Sequence, residues 1–556
     1  MWLVHRVQSL LEDRFPSTPP SGMYLNQPTR VEHDRSPATP TPSCKTPGSS
    51  FRVAAADMAT SHLEHLSRLT TETPASIRKT SIVCTIGPSC NKVETIKEMI
   101  ANGMNIARVN CSHGDTHFHR ATIRAIKEAR EAFPHNYVAI ALDTKGPEIR
   151  TGPTKDHHPV RLVEKAEFLV AVDASQTKEC EEGTLYVDYP KIVEQLEIGQ
   201  DIFIDDGVRS KSSDGLQCEV ITGGKLYPMK GVNLPSVRVQ LPILSEKDRS
   251  DLHLGIEEGV DMIFASYIRD RAEVEEVREA LAISPKKIFM IAKIENEDSL
   301  RNIDDIIDSA DGIVIARGPL GVETPSAKVA IVQKMVVSKC NRACKPVIIA
   351  TQMLESMTVH PRATRAECSD VANAVLDGAD CVMLSAETAQ GAHPVAAVAT
   401  MDRICAEAEA AYYQNWLIQD LRRYKTKLSK LESIATAAAT AVSCMHASAI
   451  VLVTTTGKSA QICAQLRPPV PIVALCASKR TARQLQLFRG VLPVYYHGTV
   501  DDSLEKMDAV EQVLKWGVEL GKRRGFINSG DPVVLITRWP NDHLLTHSMM
   551  QLVWAQ

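Results

Sequence analysis

Eight short apolar runs recur along the chain, each followed by a charge-striped helical segment. They are KTSIVCTIG (79–87), NIARVN (105–110), VAIALDTKG (138–146), DMIFASY (261–267), IFMIAKIE (288–295), GIVIARG (312–318), PVIIATQ (346–352) and CVMLSAE (381–387). Runs that are apolar at nearly every position, rather than at every second one, read as parallel strands covered on both faces. Segments such as VETIKEMIANG (93–103) supply the crossovers. Eight βα units predict a (β/α)8 barrel.

The rhythm breaks once. Residues 151–230 carry their own strand signals (AEFLVAV, DIFIDDG, LQCEVI) and read as a small β lid domain inserted in a barrel loop. The barrel is therefore expected from 61–150 and 231–415. Beyond it, 416–556 alternates again: AIVLVTTTG (449–457), PIVALC (471–476), VLPVYY (491–496) and PVVLITR (532–538), with helices between, predict a doubly wound α/β domain. Residues 1–60 differ from all of this. Eight prolines fall within 16–50, among Ser and Thr, and predict a disordered extension.

Composition excludes several function classes. Against 63 Lys+Arg stand 67 Asp+Glu, a net charge of -4, which gives no basis for nucleic acid or an anionic membrane as partner. No apolar run approaches the roughly 18–20 residues of a membrane span. The 14 cysteines form no C-x-x-C pair and read as buried thiols in a reducing compartment. The opening MWLVHRVQSLL lacks the long apolar core of a secretory signal, and Glu12, Asp13, Glu32 and Asp34 disfavour a mitochondrial transit peptide. A cytoplasmic location is expected. The Asn110-Cys111-Ser112 sequon sits at a strand end and is read as coincidence.

A barrel places its chemistry at the C-terminal ends of its strands. Here those ends are polar on one side: Arg108, Asn110 and Ser112 at alternate positions, then Asp143-Thr144-Lys145, then Lys293 and Glu295 at alternate positions, then Thr351, then Ser385-Ala386-Glu387. Cations suit a phosphorylated substrate, and carboxylates suit a divalent cation bridging it.

At these residues the chain resembles pyruvate kinases. CTIGPS (84–89), ARVNCSHG (107–114), ALDTKGPEIRTG (141–152), KGVNLP (230–235), AKIEN (292–296), ATQMLESM (350–357), TRAECSDVANAVLDGADCVMLSAETA (364–389) and TTTGKSA (454–460) are similar to family segments in family order. The resemblance implies phosphoryl transfer from phosphoenolpyruvate to ADP, with Mg2+ (or Mn2+) and K+, by a homotetramer. It assigns Arg108 to the phosphate and Lys293 to the charge on the phosphoryl group in flight. Glu295 is implied as a Mg2+ ligand. Asn110, Ser112, Asp143 and Thr144 are implied as K+ ligands, with Glu148 accompanying potassium dependence. Thr351 and Ser385 are implied on the path that protonates the enolate, Gly318 in substrate binding, and His113, Arg150 and Lys230 at the nucleotide.

The chain also departs from the family pattern. Where the family reads Ala-Arg-Gly-Asp-Leu-Gly, this chain has Ala316-Arg317-Gly318-Pro319-Leu320-Gly321. The second metal carboxylate is thus replaced by a residue without a ligand or a backbone N–H. Ala386 and Gln390 are milder changes, Cys111 replaces a family aromatic beside the implied K+ ligands, and the lid is shorter around 207–218. TTTGKSA is not a Walker A loop, because Leu452 stands where a Gly is required. Val513 and the PNDHLLTHS loop (540–548) replace features of effector-regulated members, so a weak response to fructose 1,6-bisphosphate is expected. Pro319 also opens a second expectation: a catalytically weak or inactive subunit that serves as an assembly or regulatory partner. Another barrel enzyme of phosphoenolpyruvate or pyruvate, an aldolase or mutase, is disfavoured by the lid and the C-terminal domain.

Overall fold

The computed structural model describes residues 61–556 apart from 71–76, 156–157, 174–178, 182, 198, 205–207, 215–216, 236, 238, 414–419, 421–426, 497–505 and 541–545. The expected N-terminal extension lies outside the described residues.

Each of the eight apolar runs forms a strand. The first three are β1 (Ser81–Thr85), β2 (Met104–Asn110) and β3 (Ala139–Asp143). The chain then enters the lid through β4 (Ile149–Arg150), β5 (Val160–Leu162), β6 (Glu167–Ala171), β7 (Thr184–Tyr186), β8 (Asp201–Ile204), β9 (Val208–Asp214), β10 (Gln217–Val220), β11 (Gly224–Leu226) and β12 (Gly231–Asn233). It returns through β13 (Met262–Ala265), β14 (Phe289–Ile294), β15 (Gly312–Ala316), β16 (Val347–Ala350) and β17 (Cys381–Leu384). These last five close with β1–β3 into a barrel of parallel neighbours, β1-β17-β16-β15-β14-β13-β3-β2.

Side chains alternate between two cores. Ile82, Ala107, Val109, Ile140 and Leu142 face the surrounding helices. Val83, Ile106, Ala141, Phe264, Ile291, Val314, Ile348 and Met383 fill the interior. Continuing the interior series by two residues gives Thr85, Arg108, Asp143, Ser266, Lys293 and Ser385. Strand periodicity therefore stacks a polar layer on the apolar plug.

The lid forms a seven-stranded sheet, β4-β12-β8-β9-β10-β6-β7, with β5 and β11 as a separate pair. Its base is the antiparallel pairing of β4 with β12, which brackets the expected insert 151–230. Its core is its own: Phe168, Val170, Leu185, Tyr189, Ile202 and Ile204 are buried together.

The last unit is a five-stranded sheet, β20-β19-β18-β21-β22, where β18 is Ala449–Thr454, β19 Ile472–Cys476, β20 Val491–Tyr495, β21 Pro532–Pro540 and β22 Thr546–Trp554. Four strands are parallel. The fifth, β22, was not anticipated from sequence and runs antiparallel to β21. This unit docks under the barrel, at the ends of the strands away from the polar layer. Arg467 donates to Asp380 at 2.8 Å and Arg483 to Asp261 at 2.8 Å, both carboxylates being buried and one residue ahead of β17 and β13. The opposite mouth is left to the lid.

Among the described residues no helix is long and apolar enough to cross a membrane.

Candidate active site at the barrel mouth

Four buried charges alternate in sign across the mouth. Arg108 Nε donates to Asp143 Oδ2 at 2.6 Å, and Arg108 Nη1 to Thr85 Oγ1 at 2.9 Å. Lys293 Nζ lies 3.2 Å from Asp143 Oδ1 and 3.2 Å from Glu295 Oε1. Asp143 is 0% exposed and Glu295 3%. Buried ions of this kind persist only when paired and hydrogen-bonded. Burial opposes the Asp143 charge, but Arg108 and Lys293 outweigh it and hold the carboxyl below its usual range. Burial likewise opposes the Lys293 ammonium, and Asp143 and Glu295 outweigh it and raise its pKa. Glu295 goes the other way: burial, reinforced by Asp143, raises it despite Lys293.

Ser266 holds this chain together and was missed in the sequence. Its Oγ accepts from Lys293 Nζ at 2.8 Å and donates to the Thr144 carbonyl at 2.7 Å. The signal was present, since Ser266 continues the Met262–Phe264 interior series. The Tyr267 N–H donates to Glu295 Oε2 at 2.7 Å.

The expected alternation of Arg108, Asn110 and Ser112 holds only as far as Asn110. The strand ends there, and Ser112 lies in the following turn, where its N–H donates to Asn110 Oδ1 at 3.2 Å. A turn, not a pleat, brings these two residues together. Thr144 stands next to Asp143, its Oγ1 accepting from the Ser266 N–H at 3.2 Å.

Thr351 follows β16 with φ 69° and Gln352 with φ 54°, two successive left-handed residues that cost strain. Arg317 Nη2 fixes the bend by donating to the Thr351 carbonyl at 2.7 Å, while Arg317 Nη1 pairs with Asp370 at 2.8 Å. The bend turns Thr351 Oγ1 to accept the Gly318 N–H at 2.7 Å. Ser385 follows β17, and its N–H donates to Glu387 Oε2 at 2.7 Å.

Pro319 is the third residue of the short helix Arg317–Glu323. N–H groups in a first helical turn have no partner within the helix, so proline costs the fold nothing there. Pro319 offers neither a backbone N–H nor a side-chain ligand at this position.

A second cationic group lies toward the lid. Arg150 Nη2 pairs with Glu148 Oε2 at 2.7 Å, and Arg150 Nη1 donates to the Met229 carbonyl at 3.2 Å. The Lys230 N–H donates to Thr151 Oγ1 at 2.9 Å. Burial lowers the His113 pKa, and the charges of Arg150, Arg108 and Lys230 lower it further, which places His113 in their shared field.

The donors suit a hard divalent cation in chemistry. Glu295 is a buried carboxylate whose charge is disfavoured without a cation, and the Lys293 ammonium already stands beside it. No three His, Cys, Asp or Glu side chains among the described residues form a closed cage. Mg2+ does not need one, because it keeps several waters and takes one or two carboxylates plus substrate oxygens.

The C-terminal TTTGKSA segment forms the turn from β18 into the helix Lys458–Gln465. Gly457 has φ 85°, and its N–H donates to Thr454 Oγ1 at 3.0 Å. Residues 541–545 of the expected PNDHLLTHS loop lie outside the described residues.

Comparisons with known proteins agree with this architecture. The family profile described as pyruvate kinase, barrel domain, matches residues 77–398, and that described as pyruvate kinase, alpha/beta domain, matches residues 432–553. Pyruvate kinase PKLR of Homo sapiens is 47% identical over 499 residues, covering 87% of this chain and 86% of the relative. Pyruvate kinase of Kluyveromyces lactis is 45% identical, covering 86% of this chain and 96% of the relative. Pyruvate kinase of Agaricus bisporus is 43% identical, covering 84% and 90%. The chain belongs to the pyruvate kinase family.

Proposed function

We propose that this chain transfers the phosphoryl group of phosphoenolpyruvate to ADP, giving pyruvate and ATP, and that Pro319 slows it. The observation that carries the reading is the Arg108–Asp143–Lys293–Glu295 chain of buried charges at the barrel mouth. Phosphoryl transfer needs positioning and charge neutralisation more than covalent chemistry. Arg108 binds the phosphate, and Lys293 leaves its carboxylates to neutralise the group in flight. Glu295 holds Mg2+ or Mn2+, which supplies Lewis-acid charge stabilisation when bound. Asn110, Ser112, Asp143 and Thr144 offer hard oxygens to K+, with Glu148 nearby. Thr351 and Ser385 stand on the side from which the enolate is protonated, and Gly318 meets the substrate carboxylate. His113, Arg150 and Lys230 take the nucleotide phosphates. The setting is cytoplasmic glycolysis, and the assembly a homotetramer.

Pro319 leaves one carboxylate at the metal and one donor fewer at the substrate. Losing one such donor costs about 10²-fold in rate. The test is coupled pyruvate formation across a Mg2+ titration, for the parent and for Pro319→Asp. The variant is expected to be faster by about 10²-fold, worth roughly 2.7 kcal/mol in the transition state, and to need less Mg2+. Identical turnover and metal dependence would show that the lost carboxylate is not at this position. The same substitution also supports a second reading, a weak subunit that acts in assembly or regulation. Silence of both proteins under all conditions would favour it.

A further inference from the structure

Thr351 and Gln352 are successive non-glycine residues in the left-handed region, and Thr351 is β-branched. Such a pair persists only where its surroundings over-determine it. Arg317 supplies that constraint. Its guanidinium spans the whole bend: Nη2 and Nε donate to the Thr351 carbonyl at 2.7 and 3.3 Å, and Nη2 also reaches the Gln352 carbonyl at 3.3 Å. The bend in turn fixes Thr351 Oγ1, which donates to the Ala350 carbonyl at 2.6 Å and accepts the Gly318 N–H at 2.7 Å.

The other end of the same guanidinium points away from the bend. Nη1 donates to Asp370 Oδ1 at 2.8 Å and to Gln333 Oε1 at 3.3 Å. Only 10% of the Arg317 side chain is exposed, and Asp370 is its one ion-pair partner among the described residues. A cation so enclosed needs its counter-charge, and a planar fork held at both ends is fixed in orientation as well as in place. Asp370 belongs to the helix Arg365–Leu376, which is tied to the segment after β16: Glu367 accepts the Ser356 N–H at 2.7 Å and the Ser356 hydroxyl at 2.5 Å. The helix that carries Asp370 and the segment that carries Thr351 are therefore held to each other independently of Arg317.

We propose that Asp370 is a positioning residue for protonation of the enolate, acting through Arg317 on Thr351. This rests on the reading that puts Thr351 on the protonation side. After the phosphoryl group has passed to ADP, C3 of the enolate bonds a proton drawn from solvent on that side, and its C2–O closes to the ketone of pyruvate. Without the Asp370 charge the fork is free to turn, the bend relaxes toward extended backbone, and the Thr351 hydroxyl leaves the Gly318 N–H. Misplacing a reacting group by about 1 Å costs about 10²-fold in rate.

The experiment is exchange of the pyruvate methyl protons for deuterium in D2O with Mg2+, K+ and ATP, followed by proton magnetic resonance on the full chain. It reads proton transfer apart from net phosphoryl transfer, and thermal melting verifies that each variant is folded. Asp370→Ala is expected to slow exchange at least about 10-fold, and Asp370→Asn, which keeps an acceptor for Nη1, by less. Thr351→Val is expected to slow it as well. Adding Asp370→Ala to Thr351→Val is then expected to cost under about twofold more, because both changes act on one group. Equal exchange by the parent and Asp370→Ala overturns the proposal, as does a full further loss in the Thr351→Val background, which marks a merely structural role. If Thr351→Val leaves exchange intact, or the parent shows none, the placement of Thr351 fails and the proposal falls with it. A crystal structure of Asp370→Ala separates the two levels: left-handed backbone retained at 351 and 352 overturns the link through Arg317 itself.

Discussion

Lys293 and Glu295 stand two residues apart at the end of one barrel strand, and their charged groups meet at 3.2 Å. Asp143 holds the same ammonium from the other side at 3.2 Å. Without ligand the lysine neutralises two buried carboxylates. A phosphoryl group and a divalent cation arriving together would take over both partners. On the proposed function, these resting ion pairs keep the places that substrate and metal would take.

Lys293→Met should abolish activity while leaving the fold intact. Removing a preorganised cation from a buried site costs about 10²–10³-fold in rate. Coupled assay gives the rate, and circular dichroism reports the fold. A variant within twofold of the parent would place the chemistry elsewhere.

Activity should rise with K+ and stay poor with Na+ alone. Asn110, Ser112, Asp143 and Thr144 are gathered at the ends of β2 and β3, and cavity size with ligand number sets the preferred ion. Rates measured in matched chloride salts decide this, equal rates counting against it.

Fructose 1,6-bisphosphate should bind weakly or not at all. The turn 454–459 keeps its hydroxyls, yet Ser459 Oγ and the Gly457 N–H both turn inward to Thr454 Oγ1, at 3.2 and 3.0 Å. Tight binding in isothermal titration would refute this.

Glu323 should make stability fall with pH in metal-free buffer. Burial raises this carboxyl from an ordinary 4.5 to about 7, so the folded chain holds the proton more tightly than the unfolded chain. The resulting stabilisation is full below about 4.5 and is lost as pH rises through about 7. Glu323→Gln, neutral at every pH, should therefore gain melting temperature over the parent at pH 8.5 and much less at pH 5.5. Melting curves at both values with a constant gap would disprove it.

The barrel was legible because its strands are short, apolar on both faces and, apart from the one insertion, regularly followed by a helix. That pattern depends on local composition alone, and all eight runs became neighbours in one closed sheet. The C-terminal edge strand Thr546–Trp554 was not legible. Gln551, Leu552 and Trp554 are all exposed, so the segment shows neither an apolar block nor a clean alternation, and its identity comes from pairing with Pro532–Pro540.

At the site, sequence determined which residue types stand at the strand ends: Arg108, Asp143, Lys293, Glu295, Thr351 and Ser385, together with the absence of a carboxylate at 319. Tertiary structure decided who meets whom. Asp143 and Lys293 are 150 residues apart in sequence, and barrel closure alone brings them within 3.2 Å. The left-handed bend at Thr351, the bridge through Ser266 and the return of Glu323 to the Glu295 strand end belong to that second kind. Period-two alternation tells a side chain which face of its strand it takes. Only the closing of the sheet tells it what stands opposite.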